Sequence, residues 1–313
     1  MQIATSLLPI FLIIALGGIL ARCGFLSPEM RGHLNKAAYW IGMPALLFRA
    51  VATARITGDR PLLIAGALLA GTGTAMIVAY LGAALLRLPR SSIGTFVQAS
   101  FRGNLAFLAF PLSIFVFSQP GAPASAAEMT PIVALAIAPV MIVYAVAAVV
   151  VLIVGHPDLA RGGKRALIRQ VLVNPHILAI GAGLLATSFS LRLPEPLLIS
   201  LKLLGGLAIP AALLGIGASI ATARLGPNLT PAVVSAGIKI IVTPLTVFAL
   251  TRFMPMSSVD AGVAVVLAAA PTAAVSFVMA TQLQGDPELA SSAILLSTLG
   301  SIVSLGLALN TIV

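Results

Sequence analysis

The chain has 313 residues, of which 59% are hydrophobic and only 8% charged, and its mean hydropathy is +1.12. A soluble domain carries about 25% charged residues, so water is excluded as the main solvent of this fold. Eighteen basic residues against eight acidic ones give a net charge of +10. Most of these charges sit between apolar runs, where they set membrane orientation and lipid contact rather than binding nucleic acid. A single cysteine, Cys23, excludes an internal disulfide and any cysteine-based metal cluster.

Backbone polar groups cannot stay unpaired in lipid, so each apolar run of roughly 20 residues predicts a helix. Ten such spans follow in order: Ile3 to Ala21, Leu34 to Ala54, Pro61 to Leu86, Ile93 to Ser118, Pro131 to Val154, Val171 to Ser190, Pro194 to Ala221, Thr230 to Arg252, Val259 to Leu283 and Leu289 to Val313. The first span lacks a basic leader and a small-residue cleavage site, and Arg22 stands where a lipoprotein signal needs a small residue. It therefore reads as a retained helix. Arg22, Arg31, Lys36, Arg87, Arg90, Arg161, Lys164, Arg165, Arg169 and Arg224 fall on one side. That excess places both termini on the periplasmic side of a cell inner membrane.

The basic stretch from Gly155 to Gln170 predicts a cytoplasmic linker between two halves, residues 1–154 and 171–313. The halves share a register: Pro9 and Gly17 recur 166 residues later as Pro175 and Gly183, and Lys36, Pro44 and Leu47 as Lys202, Pro210 and Leu213. An odd number of spans per half makes the second copy enter the bilayer with opposite sense. The predicted fold is all-α and integral to the membrane, with ten transmembrane helices as two inverted five-helix repeats.

The fourth and ninth spans carry the polar interruptions. Span four reads Phe101-Arg102-Gly103-Asn104, then Phe110-Pro111-Leu112, and span nine reads Ala270-Pro271-Thr272 with Ser276 beyond. Proline removes a backbone donor and suits the first position of a new helical segment. Both helices are therefore expected to break, with second halves starting at about Pro111 and Pro271. The N-terminal ends of two half-helices meeting at mid-membrane favour an anion. Asn104, Thr272 and Ser276 are candidate donors to it. Proline kinks between packed helices are the plainer alternative.

No Asp or Glu falls at mid-depth in a span, which argues against a carboxylate proton relay. Arg102 and Lys239 are the deep charges and the candidate charge partners of a substrate, although Lys239 reads more simply as paired with backbone carbonyls. A sodium ion would draw on Thr272, Ser276, Gln282, Ser297, Thr298 and Ser301, so coupling to Na+ or H+ stays open and no cofactor is called for. His33, His156 and His176 show no metal-ligand spacing. Asp286 and Glu288, in a short turn, are expected to be solvated.

Taken in order, Gly17-Gly18 leading to Arg22 and Gly24-Phe25-Leu26-Ser27, Met43-Pro44-Ala45-Leu46-Leu47-Phe48, Phe101-Arg102-Gly103-Asn104, Phe110-Pro111-Leu112, Asn174-Pro175, Gly215-Ile216-Gly217-Ala218-Ser219, Lys239 with Pro244, and Ala270-Pro271 through Ser297-Thr298 resemble a bacterial member of the auxin efflux carrier family, with a distant relation to bile acid sodium symporters. The resemblance implies a scaffold of helices one, two, six and seven, probed against a transport domain of helices three to five and eight to ten that moves in an elevator-like way. It implies a small carboxylate bound where helices four and nine cross, at Asn104, Pro111 and Pro271. Mono- or dicarboxylates such as malate or malonate, or auxin-like acids, are the implied substrates, and a homodimer the implied assembly. A channel, or a membrane enzyme or sensor on the same fold, is the alternative reading.

Overall fold

The computed structural model describes residues 2–54, 59–117, 125–154, 173–222, 225–226 and 229–312. The predicted linker from Gly155 to Gln170 lies outside them, as does His156. In chain order the described helices are α1 (Gln2–Arg22), α2 (Pro28–Ala37), α3 (Met43–Ala52), α4 (Arg60–Leu85), α5 (Arg90–Phe101), α6 (Phe110–Phe117), α7 (Ala126–Val154), α8 (Pro175–Ser188), α9 (Glu195–Thr222), α10 (Thr230–Gly237), α11 (Thr243–Thr251), α12 (Ser258–Ala268), α13 (Val275–Gln282) and α14 (Pro287–Ile312). Five helices among the described residues are long and apolar enough to cross a membrane: α4, α7, α9, the continuous Thr230–Thr251 stretch and α14. At 1.5 Å per residue, the 26 residues of α4 reach about 39 Å, more than a bilayer's apolar core of about 30 Å. Large apolar side chains such as Leu62, Leu203 and Leu245 stand exposed on these elements, as expected where lipid rather than water is the neighbour.

Helix starts follow local chemistry. Ser27 accepts from the Met30 amide ahead of Pro28, Asn174 accepts from the His176 and Ile177 amides ahead of Pro175, and Ser257 accepts from the Asp260 amide. Each side-chain oxygen satisfies donors that a helix leaves unpaired at its start.

Three π turns, Ala38–Gly42, Leu105–Ala109 and Ile238–Val242, each end two residues before a proline: Pro44, Pro111 and Pro244. Proline cannot donate to the carbonyl four residues back, and its ring clashes there. Widening the preceding turn removes the clash. Accordingly the Met43 amide reaches back five residues to the Ala38 carbonyl, and the Thr243 amide to that of Ile238.

The chain divides into two compact units. The first comprises Met1–Pro61, Ala106–Ala138 and Val173–Thr222, and its packing is dominated by α1 on α9 and α3 on α8. Glycines set both contacts. A methyl group at Gly17 would collide with the Leu214 carbonyl, and one at Gly183 would lie 3.1 Å from the Phe48 carbonyl oxygen. Gly183 is Gly17 moved on by 166 residues, and Phe48 is Leu214 moved back by the same step, so the two contacts exchange partners. A methyl group at Gly42 would lie 2.9 Å from the Cα of Ala208, its own counterpart at that step. The contact pattern of this unit therefore has a local two-fold relation.

The second unit comprises Leu62–Leu105, Pro139–Leu172 and Ala223–Val313. Within it α14 packs on α5, α10, α12 and α13, and α11 on α12. The turn before α14 departs from expectation. The Ser92 hydroxyl donates to Asp286 at 2.9 Å, the Asp286 carboxylate caps the Leu289 amide, and the Asp286 amide donates to Thr95. Asp286 therefore ties α5 to the start of α14 instead of standing in solvent.

The close approach of α1 and α9 predicts a paired outcome. Gly217→Ala places its methyl group on the Ile14 carbonyl and should cost about 1–3 kcal/mol by forcing the helices apart. Gly206→Ala in the same helix meets nothing within 4 Å and should leave the thermal midpoint of the purified protein unchanged or slightly raised.

Candidate functional site

Two helices are interrupted in the second unit, and the interruptions pair. α5 ends at Phe101, with the Arg102 amide still donating to the Gln98 carbonyl at 3.0 Å as its last helical bond, while α12 ends at Ala268 and helix resumes only at Val275. Gly103 and Thr272 form an antiparallel bridge. The Asn104 amide donates to the Pro271 carbonyl at 2.7 Å, and the Ala273 amide to the Arg102 carbonyl at 2.8 Å. These two bonds exchange under a step of 169 residues that carries Arg102 to Pro271, Gly103 to Thr272 and Asn104 to Ala273. The bridge itself lies on the local two-fold.

The breaks thus differ in position from the proline reading. In span four helix resumes as the π turn at Leu105, and Pro111 is the second residue of α6, past the break rather than at its start. Pro111 also belongs to the first unit, whereas the other candidate residues belong to the second. In span nine Pro271 lies inside the break and the second half starts at Val275. The extended backbone of Arg102, with φ −78° and ψ 92°, turns its own carbonyl and the Asn104 amide sideways, as a strand does, and the opposite break supplies their partners.

Side chains fasten this frame. Thr272 donates from its hydroxyl to the Ala99 carbonyl at 2.8 Å and from its amide to the Ser297 hydroxyl at 3.0 Å. Its proton is therefore committed to the protein. Lys239, fully buried on the third π turn, donates to the Ala268 carbonyl at 2.6 Å. A cation there meets the negative end of α12. A methyl group at Gly103 would lie 3.1 Å from the Lys239 stem, so glycine lets the ammonium pass close beside the bridge. This is the carbonyl-paired reading of Lys239 anticipated from sequence.

Arg102, Asn104 and Ser276 are also buried, at 9%, 8% and 1% exposure. Arg102 points a guanidinium nitrogen at the Met279 sulfur, which also accepts from Gln98 at 3.5 Å. The Ser276 hydroxyl is buried without a hydrogen-bond partner. The Tyr144 ring stands edge-on to Phe101, with centroids 5.6 Å apart. Of the hydroxyls considered for a cation, Thr298 and Ser301 donate to carbonyls of their own helix, and Gln282 is exposed. Gln98 and Met279 were not singled out from sequence. Gln98 carried a readable signal: a buried-span amide one helical turn before Arg102 shares its face.

The chain matches the family model described as "Membrane transport protein" over residues 2–309. It is 25% identical over 310 residues to an "Uncharacterized transporter" of Methanothermobacter thermautotrophicus, covering 96% of each chain. It is 22% identical over 312 residues to an uncharacterized transporter of Methanocaldococcus jannaschii, covering 95% of each. A "Putative malonate transporter" of Rhizobium meliloti is 27% identical over 319 residues, covering 97% of this chain and 93% of that protein.

Thr272 holds the paired breaks from two directions, so Thr272→Val should leave the Ala99 carbonyl unpaired and lower stability by about 1–3 kcal/mol. Thr272→Ser keeps the donor and should recover most of the loss. Thermal unfolding of the two variants in detergent measures the difference; equal midpoints would remove the hydroxyl from this role.

Proposed function

Because the chain belongs to the membrane transport protein family, the auxin efflux carrier family that its motifs resemble, we propose that it is a secondary carrier of a small organic anion, bound at the paired breaks and moved by alternating access. The observation that carries this reading is the Gly103–Thr272 bridge, which holds two helix interruptions together inside an apolar fold. Interrupted backbone at membrane depth is tolerated only where protein or a cavity surrounds it, and broken helices are a recurrent substrate-binding device of carriers. The name of the Rhizobium meliloti relative favours a carboxylate, malonate among the candidates.

The exchanged contacts support a fold of ten helices in two inverted five-helix repeats. On that plan helices one, two, six and seven form the scaffold of a homodimer in the inner membrane, with both termini periplasmic. The remaining helices form an elevator-like transport domain. Asn104 and Ser276 face the anion, Arg102 supplies charge, Pro271 and Thr272 shape the break, and Pro111 shapes the helix that follows. Lys239 acts as a built-in cation that braces the end of α12. The family and these relatives bear the names of transporters, which favours carriage over catalysis.

Reconstitution into liposomes tests this directly. Uptake of labelled malonate, malate or succinate should saturate and show counterflow, and imposed sodium and pH gradients should identify the driving ion. Asn104→Ala should abolish uptake while leaving the unfolding midpoint within a few degrees of the parent. Flux that rises linearly with concentration and shows no counterflow would replace the carrier with a channel.

A further inference from the structure

Gln98 and Arg102 both direct donors at the Met279 sulfur beside the break, with Ser276 one turn earlier on the same helix. A thioether is a weak acceptor, yet the Met279 sulfur takes donors from both the Arg102 guanidinium and the Gln98 amide. Gln98 Oε1 is buried and has no partner, so nothing else holds that amide in its present orientation. Ser276 lies one turn before Met279 on α13, on the same face, and its hydroxyl is likewise buried and unpartnered. Gln98, Ser276 and Met279 are each at most 1% exposed.

We infer that these side chains form a carboxylate subsite in which the Met279 sulfur stands in for a substrate oxygen. A carboxylate accepts charge-assisted hydrogen bonds from guanidinium, often two at once, far more strongly than sulfur does. When it enters, Met279 swings aside, which its unbranched side chain permits. Arg102 and the Gln98 amide turn their donors to the anion, and the Ser276 hydroxyl adds a third. When the substrate leaves, the sulfur again accepts from the Arg102 guanidinium and the Gln98 amide. The subsite rests on the organic-anion reading above, and it adds Gln98 and Met279 to the binding residues.

The test is malonate binding by the purified full-length protein in detergent, followed by calorimetry. Gln98→Glu installs a resident carboxylate beside Arg102. It should keep or raise the unfolding midpoint and weaken malonate roughly 10-fold or more, the scale of one charge-assisted bond. Met279→Leu removes the competing sulfur and should tighten malonate by about 10-fold. A folded Gln98→Glu variant that binds malonate like the parent overturns the subsite and leaves the carrier reading intact. Should that variant fail to fold, an unchanged affinity in Met279→Leu overturns it equally. A parent protein that neither binds nor exchanges malonate, malate, succinate or acetate sinks the organic-anion reading, and the subsite with it.

Discussion

A bilayer interior offers no water to an unpaired amide or carbonyl, and each such group left bare costs several kcal/mol. A helix that stops at mid-span must therefore find partners elsewhere. Here the partner of one interruption is the other. The Asn104 amide and the Arg102 carbonyl are answered by Pro271 and Ala273, and Thr272 reaches sideways to Ala99 and Ser297. Neither break is stable alone, so the two form one structural element although 169 residues separate them. The last carbonyls of α12 gain a further partner in Lys239.

The backbone of this element obeys a local two-fold, but its side chains do not. The step that carries Arg102 to Pro271 carries Asn104 to Ala273 and Gln98 to Leu267. The two amides and the guanidinium all come from the segment around the first break, and the segment around the second offers apolar residues in their places. On the other side Thr272 stands opposite Gly103, and the bridge has room for Lys239 only because Gly103 lacks a side chain. Two similar backbones thus give a frame, and the departures between them give a lining with a direction.

Much of this was legible in the residues. Hydropathy marked the five helices long and apolar enough to cross a membrane, and polar residues inside spans four and nine marked the interruptions. The exact points of breakage were not legible, for a physical reason. Pro111 was read as the first residue of a new helix, but, like Pro44 and Pro244, it follows a π turn and lies past any break. The break in span four is set by Gly103 and by hydrogen bonds from a segment far away in the chain. Pro271 marked its own break better, because the residue before a proline is driven away from helix. Asp286 was misread for a related reason: its partners, Ser92 and Thr95, lie nearly two hundred residues earlier.

The frame and its lining are held with different strengths. Oxygen acceptors at 2.7 and 2.8 Å close the backbone pairing, whereas the Gln98 amide sits 3.5 Å from a sulfur and Ser276 has no hydrogen-bond partner. On the carrier reading proposed above, that difference has a use. A site that is empty for half of each cycle must still cover its buried donors, or the empty state becomes too costly to visit. It must also cover them weakly, because a strong internal acceptor would compete with the solute. A polarizable thioether on a flexible stem meets both demands, and firm backbone bonds keep the surrounding geometry constant while it moves.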